Sequence, residues 1–333
     1  MNRRSSVSLS DGLVAPVKGT PSPRSSIGSA ISIPLLVCAV AAAAPFIASP
    51  YQLSVLLLVF MYVALACSWN LIGGYTGYFT FGHVAYFGIG AYCSSLLITG
   101  AGMHWIAATV LGALAAALAA LVVGFPSLRV KGPAFVILTL AFSQALRIAV
   151  HVADEWTGGG RGISLPPTQS LVPVYFAFAV AAAAAVAGSW AIDRSAFGRK
   201  LKAIRDDELG AEAVGIDTQA EKLKAFVLSA LLPGFCGGVY AWYLSYINPD
   251  EAFSLRLNVS MIVMVLLGGA GTVLGPVLGA VLVFGISELL WAHFPTLHQL
   301  VFGVVLMALV LFAPDGLLGW LRRSRTAKRG TLQ

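Results

Sequence analysis

One charged segment, residues 192–224, holds most of the side chains that could bind another molecule. It combines seven Lys and Arg residues with an acidic cluster. Its apolar residues recur at roughly helical spacing, which predicts a short amphipathic structure. They are Leu201, Ile204, Leu209, Ala213 and Ile216. A basic amphipathic stretch can rest on anionic lipid, but its acids disfavour lipid and favour docking to a soluble partner. The candidate docking residues are Arg205, Asp206, Asp207, Glu208, Ala211, Glu212 and Gly215.

Sequence motifs for catalysis are missing. The chain has no P-loop, HExxH or GxSxG pattern, so it does not hydrolyse ATP by the P-loop route. The four cysteines lie in apolar runs and form no CxxC pair, as expected of small buried hydrophobic residues. We therefore expect no enzyme activity, no cofactor and no metal site. A membrane-embedded enzyme is disfavoured for the same reason.

Two uncharged glycine-rich segments, residues 73–80 and 268–276, each separate two apolar runs. Irregular backbone at membrane depth persists only where protein buries it or water reaches it. Paired interruptions of this kind point to a transport pathway or gate, whereas close helix packing through small residues is the alternative. The candidate pathway residues are Gly73, Gly74, Tyr75, Thr76, Gly77, Gly82, His83, Gly268, Gly269 and Gly271.

The composition predicts the elements that must position these residues. The 333 residues are 58% hydrophobic and 11% charged, with a mean hydropathy of +0.84. About a quarter of a soluble domain is charged, so we predict an all-α, polytopic transmembrane helix bundle with about ten spans. The predicted spans are 31–48, 52–72, 81–99, 105–124, 133–151, 172–191, 224–247, 258–270, 272–291 and 299–313. The short run 258–270 is read as a full span or as a broken, re-entrant element.

The basic residues predict the orientation of the bundle. Of the 21 Lys and Arg residues, 18 fall in the N-terminal tail, the 125–132 loop, the 192–224 loop and the C-terminal tail. Positive residues favour the cytoplasmic side, so both termini are expected there. Residues 1–30 are expected to be a disordered cytoplasmic tail, 31–314 the transmembrane domain and 315–333 a basic cytoplasmic tail. Charge placed this way disfavours nucleic acid as a partner, and membrane lipid is expected around the spans.

Charge is almost absent from the predicted spans. Arg147 and Glu288 come closest, each near the outer end of its helix. Carriers driven by protons or sodium usually need intramembrane acids or histidines. An ion-coupled secondary transporter is therefore the less favoured alternative, and the energy for transport is expected to come from a partner that docks on the 192–224 loop.

Six ordered motifs resemble the permeases of branched-chain amino acid ABC importers. Residues 69–83, WNLIGGYTGYFTFGH, resemble N-L-x-x-G-Y-T-G-x-x-S-x-G-H, with Thr80 in place of the serine. Residues 195–215 resemble S-x-x-G-R-x-x-x-A-I-R-(E/D)-D-E-x-A-A-E-x-x-G, with Gly210 in place of the first alanine. The other matches are at 129–142, 157–163, 268–276 and 313–316, so the resemblance covers about residues 50–320.

The resemblance implies a permease of the bacterial inner membrane that moves branched-chain or related small amino acids. Relatives in the same family move urea or short amides. The implied partners are a second homologous permease, two cytosolic ATP-binding subunits and a periplasmic solute-binding protein, with ATP bound by those partners. The segment 205–215 would then seat in an ATPase groove. Glu208, Ala211 and Gly215 match the E-A-A pattern of such segments loosely, without its usual spacing.

Overall fold

The computed structural model describes residues 48–293 and the single positions 45 and 303. The predicted tails 1–30 and 315–333, the span 299–313 and almost all of the span 31–48 lie outside the described residues. Within the described part, the chain is a bundle of long apolar helices joined by short loops.

Eight long helices form the bundle. Their bounds are α1 Pro50–Gly73, α2 His83–Ala101, α3 Trp105–Ser127, α4 Pro133–Val152, α6 Leu171–Arg194, α9 Thr218–Leu244, α11 Leu255–Gly268 and α12 Gly275–His293. Short helices complete the described chain: α5 Asp154–Thr157, a 3-10 turn Gly159–Arg161, α7 Ala196–Asp206, α8 Glu208–Ala213 and α10 Pro249–Ala252. Seven helical segments in the described range are long and apolar enough to cross a bilayer, and α12 adds a shorter apolar one.

The ends of the helices follow local sequence signals. Ser49 and Gln52 form a capping box at the start of α1, where each side chain bonds the backbone of the other residue. Pro50 stands at the first helical position, where its missing N–H costs nothing. Gly102 ends α2 with a φ of 62°, a left-handed conformation that glycine adopts without strain.

Two packing units organise the helices. Helix α9 packs against α2 and α3, while α1 packs against α6, α9, α11 and α12. The α2–α9 approach depends on glycine, because a Cβ on Gly90 would overlap the carbonyl group of Gly234. Small residues let the helix backbones approach closely where lipid provides no hydrophobic driving force. Gly90 is therefore a packing residue between α2 and α9.

Two details correct the predicted architecture. The bundle is not entirely helical, because strands β1, Ile163–Ser164, and β2, Tyr246–Ile247, pair antiparallel. For the predicted run 258–270, the structure favours the full span over the broken element, and the span begins earlier than predicted. Together with α10, helix α11 gives an apolar segment of 20 residues, Pro249–Gly268, which is a full span by length. Apolar composition marked only its second half, because Asp250, Glu251 and Arg256 interrupt the first.

The described basic residues separate to the two ends of the bundle. Nine lie where α3 joins α4 and around the segment between α6 and α9, which we call the basic end: Arg129, Lys131, Arg194, Arg199, Lys200, Lys202, Arg205, Lys222 and Lys224. Arg147, Arg161 and Arg256 lie at the opposite end, where Arg147 pairs with Asp250 at 3.6 Å. Alternating helix directions thus reproduce the charge partition expected from the sequence within the described range.

Candidate functional site at the basic end

The two glycine-rich segments meet at the basic end. Asn70, in the last turn of α1, donates from Nδ2 to the carbonyl of Thr272 at 3.0 Å and accepts the Gly271 N–H at 2.8 Å. A Cβ on Gly74 would lie 2.6 Å from the backbone nitrogen of Gly271 and would overlap the Asn70 side chain. The junction of the segments therefore requires glycine at position 74.

The first glycine-rich segment is largely enclosed by protein. Tyr75 and Thr76 are buried, whereas Gly77 and Phe79 are exposed. Gly77 has a φ of 76°, which favours glycine. The Trp69 indole N–H fixes the end of the segment by donating to the Thr80 carbonyl at 2.9 Å.

Gly73, Gly82 and His83 lie apart from the contact with the second segment. Gly73 packs on the ring of Trp69, where a Cβ would overlap the indole. Gly82 precedes α2 and lies against Thr139 of α4. His83 begins α2 and is completely buried. These three residues belong to the packing around the segment and not to its junction with residues 268–272.

The second segment is a tight turn between α11 and α12. Gly269 and Gly271 have φ angles of 119° and 73°, conformations that a side chain rarely allows. The Thr272 hydroxyl closes the turn by donating to the Gly269 carbonyl at 2.7 Å. A Cβ on Gly268 would overlap the Gly275 carbonyl, so close helix packing explains this glycine.

The segment between α6 and α9 contains two helices and not the single amphipathic stretch expected. Asp207 is extended, with φ −157° and ψ 111°, and its side chain caps α8 by accepting the Leu209 N–H at 3.0 Å. Leu201 and Ile204 of α7 are buried, but Leu209 is 69% exposed. The break at Asp207 ends the helical period, so the apolar residues of α7 and α8 no longer share one face.

Leu209 in α8 and Val214 just after it are both apolar and exposed, and we call these two residues the α8 patch. Val214 is 77% exposed. Glu212 lies between them in sequence, and its carboxylate accepts the Thr218 hydroxyl at 2.7 Å. Gly215 follows with a φ of 86°, and nothing lies within 4 Å of where its Cβ would be. Two large apolar side chains are thus exposed at the strongly charged end of the bundle.

Glu208 is the centre of a partly buried ion network. Its Oε1 lies 2.7 Å from Lys222 Nζ and 3.3 Å from Lys131 Nζ, while the Tyr78 hydroxyl donates to its Oε2 at 2.7 Å. Lys222 is 2% exposed and also donates to the Tyr78 hydroxyl at 3.0 Å. The network ties α8 to α9, to the α3–α4 loop and to the first glycine-rich segment.

Burial and hydrogen bonding shift the pKa values of two members of the network, Glu208 and Tyr78. Burial by itself would raise the pKa of Glu208, but hydrogen bonds from Lys222 and Tyr78 outweigh burial and hold that pKa below its ordinary value. Burial, followed by the hydrogen bond to Glu208, raises the pKa of Tyr78. At neutral pH the carboxylate is therefore charged and the phenol is a neutral donor. Since three partners occupy the Glu208 carboxylate, it anchors α8 to the bundle.

Arg205 reaches the junction of the glycine-rich segments from the end of α7. Its Nη1 donates to the Gly74 carbonyl at 2.7 Å. Its Cγ lies 3.3 Å from where a Cβ on Gly77 would be, and the guanidinium occupies the space that a Gly271 side chain would need. The structure thus brings Arg205 together with three glycines that the sequence placed in separate segments.

Of the other candidate docking residues, Asp206 is exposed and Ala211 is buried. Four residues that link the segments were not among the candidates predicted from the sequence: Asn70, Tyr78, Lys131 and Lys222. Lys131 and Lys222 were counted only as signals of orientation. Lys222 lies in the first turns of α9, which begins six residues before the predicted span 224–247. The sequence signal was a lysine directly before an apolar run, since a lysine that becomes buried there needs an acidic partner.

A second set of contacts fixes α7 to the end of α6. Lys202 Nζ lies 2.6 Å from Asp193 Oδ1, and the Tyr75 hydroxyl donates to the same oxygen at 3.4 Å. The Lys202 ammonium also lies over the Tyr75 ring, 5.5 Å from its centroid. Tyr75 and Tyr78 thus connect the first glycine-rich segment to both ends of the charged segment.

An open cleft of about 670 Å³ lies beside these contacts. One wall is the first glycine-rich segment, from Thr76 to Phe79, and the other is the end of α7 with Asp207 and Glu208. Lys131 and the first turn of α4 complete it. The cleft places exposed and charged groups next to the predicted gate.

A family model and individual relatives both relate this chain to branched-chain amino acid permeases. Residues 51–310 match the family described as branched-chain amino acid transport system / permease component. The chain is 29% identical to the high-affinity branched-chain amino acid transport system permease protein LivM of Escherichia coli strain K12, over 90% of this chain and 76% of that protein. LivM of Salmonella typhimurium strain LT2 is also 29% identical, over 89% of this chain and 76% of its own length.

A more distant relative is the autoinducer 2 import system permease protein LsrC of Salmonella paratyphi B, 28% identical over 47% of this chain and 49% of that protein. No solved structure matches. The family match covers most of the chain and includes the motifs at 69–83 and 195–215, which confirms the resemblance read from the sequence. The chain belongs to the family of branched-chain amino acid transport system permease components.

Proposed function

We propose that this chain is the membrane-spanning permease subunit of an ATP-driven importer that carries branched-chain or related small amino acids across the bacterial inner membrane. The family and the LivM relatives support the substrate class. The seven spans by length support a multi-pass protein. The basic end faces the cytoplasm in this proposal, because nine of the twelve described Lys and Arg residues lie there.

The observation that carries the proposal is the α8 patch. Leu209 and Val214 are exposed, but the α7–α8 segment that presents them is fastened to the bundle through Arg205 of α7 and Glu208 of α8. A surface that is both apolar and rigidly mounted suits docking to a soluble protein, since little ordering entropy is lost on binding. We assign this surface to the cytosolic ATP-binding subunits. The proposed assembly also contains a second permease and a periplasmic solute-binding protein.

The positions of the acidic residues in the spans favour transport driven by a partner that hydrolyses ATP over transport driven by an ion gradient. Glu221 and Lys222 lie in the first turns of α9 at the basic end, and Glu288 lies towards the end of α12, where it accepts the Tyr51 hydroxyl at 2.7 Å. Asp250 and Glu251 lie at the opposite end, in the first turn of the span Pro249–Gly268. The acids of the described spans thus lie towards the ends of the helices and form no relay across the described bundle. An ion-driven carrier usually has such a relay.

The test is uptake by the complete complex in lipid vesicles with all ion gradients collapsed. The complex contains the chain, its second permease, the ATP-binding subunits and the binding protein. Leucine, isoleucine or valine uptake should require ATP and should disappear when the ATP-binding subunits are omitted. Uptake by the chain alone that follows a proton or sodium gradient would contradict the proposal.

A further inference from the structure

We propose that Arg205 is a positioning residue that passes movement of the docked α7–α8 segment to the junction of the two glycine-rich segments. The inference rests on the proposed function, because it requires an ATP-binding partner on the α8 patch. It goes further by naming the contact through which the force acts.

The first step is the position of Arg205 in the chain. It lies in the last turn of α7, two residues before the break at Asp207. Its guanidinium donates to the Gly74 carbonyl, which is next to the last residue of α1. The final carbonyls of a helix lack partners within the helix and carry partial negative charge. A guanidinium there satisfies an unpaired acceptor with a charged donor.

The second step is that one guanidinium contacts both segments. Besides bonding Gly74, its Nη1 atom fills the place where a Gly271 side chain would lie. Gly271 has a φ of 73° and donates its N–H to Asn70. Asn70 is one turn before Gly74 in α1, so Arg205, Asn70 and the two glycines form one connected cluster.

The third step is a second attachment between the first glycine-rich segment and the α7–α8 segment. Glu208 accepts the Tyr78 hydroxyl at 2.7 Å, so α8 is also fixed to the first glycine-rich segment. The first glycine-rich segment is thus attached to Arg205 of α7 and to Glu208 of α8, on either side of Asp207, so it moves with these two helices. Helix α1 then extends the connection, because it packs against α6, α9, α11 and α12. A shift at Arg205 therefore reaches the ends of α1 and α11 together.

The decisive experiment compares variants in the complete reconstituted complex. Arg205→Gln removes the charge and weakens the bond to Gly74. We expect the variant to capture the ATP-binding subunits and to hydrolyse ATP within about twofold of the wild type, while uptake per ATP hydrolysed falls about fivefold or more. Arg205→Lys should recover part of the loss, since its ammonium also donates to the carbonyl. Arg129→Gln is the matched control, because Arg129 is an exposed arginine at the same end whose contact is the ring of Phe125.

A second variant acts on the other side of the contact. Gly271→Ala leaves Arg205 unchanged but places a methyl group where the guanidinium lies, and it should lower uptake per ATP in the same way. If Gly271→Ala is too unstable to purify, the Arg205 variants alone decide the matter.

Three results would overturn the inference. Unchanged uptake per ATP in Arg205→Gln would show that the contact transmits nothing. Loss of ATPase capture in proportion to uptake would make Arg205 part of the docking surface instead, and would leave the proposed function intact. Failure of the proposed function looks different, because the wild-type complex itself would then show no ATP-dependent amino acid uptake, and both ideas would fall.

Discussion

Lys222 Nζ lies 2.7 Å from Glu208 Oε1, and the lysine side chain is only 2% exposed. A cation this buried is stable only when paired. Because Glu208 is the first residue of α8 and Lys222 is in the first turns of α9, the pair fixes the docking segment to the span that follows it. It is one of the few ion pairs in the described chain with both partners largely covered, so it is well suited to a quantitative test.

A double-mutant cycle should reveal the strength of this pair. Glu208→Gln leaves Lys222 without its counter-ion, and Lys222→Met leaves Glu208 with only the more exposed Lys131. Each should lower the melting temperature of the detergent-solubilised protein. The double variant should recover part of the loss, with a coupling free energy of about 1–3 kcal/mol. Additive losses would contradict the pairing. Lys200→Gln with Glu221→Gln is a comparison pair, since the Lys200 side chain is 45% exposed and its pair should couple by about 0–1 kcal/mol.

Acid should weaken the same network. The folded-state pKa of Glu208 lies below its ordinary value of 4.5, so in this range the unfolded chain binds more protons than the folded chain. The stability contributed by Glu208 is present at neutral pH and is lost as the pH falls from about 5 through the folded pKa. Melting curves should show a shallower acid loss in Glu208→Gln than in the wild type. Identical pH profiles for the two proteins would exclude the assignment.

The α8 patch should control capture of the ATP-binding subunits. Leu209→Glu with Val214→Glu places charge where we expect an apolar contact, and retention of those subunits during purification should fall about tenfold or more. The melting temperature of the isolated chain should change little, since both residues are exposed. Trp156→Glu is the matched control, because Trp156 is 77% exposed but lies at the opposite end. If the wild type, the double variant and Trp156→Glu all retain the ATP-binding subunits equally, the α8 patch is not part of the interface.

Glycine at position 74 should be required for transport. In Gly74→Ala the methyl group would overlap the Asn70 side chain and lie 2.6 Å from the Gly271 nitrogen, so one segment must move away. We expect uptake to fall about fivefold or more, with membrane insertion retained. Gly188→Ala is the control, since nothing lies within 4 Å of its Cβ position in α6. It should keep full uptake and gain up to about 1 kcal/mol of helix stability. Normal uptake in Gly74→Ala would show that the close contact is not functional.

The sequence alone determined the class of the protein. Few charges and long apolar runs require lipid as the solvent, and seven of the described runs have the length of a bilayer span. Local signals also fixed several helix ends, such as the capping box at Ser49. The motifs identified the family because they are recognised from the order of residues along the chain, without knowledge of distances in the folded structure.

Only the tertiary structure decided what the candidate residues do. Helical spacing placed Leu209 on the same face as Leu201 and Ile204, but Asp207 breaks the helix and exposes Leu209. Glu208, expected on the docking surface, is instead occupied by Lys222, Lys131 and Tyr78.

The contact of Arg205 with Gly74 joins residues 131 positions apart. Periodicity describes only neighbours within an element, whereas such contacts depend on how distant helices pack and on which glycines leave room for an approaching side chain.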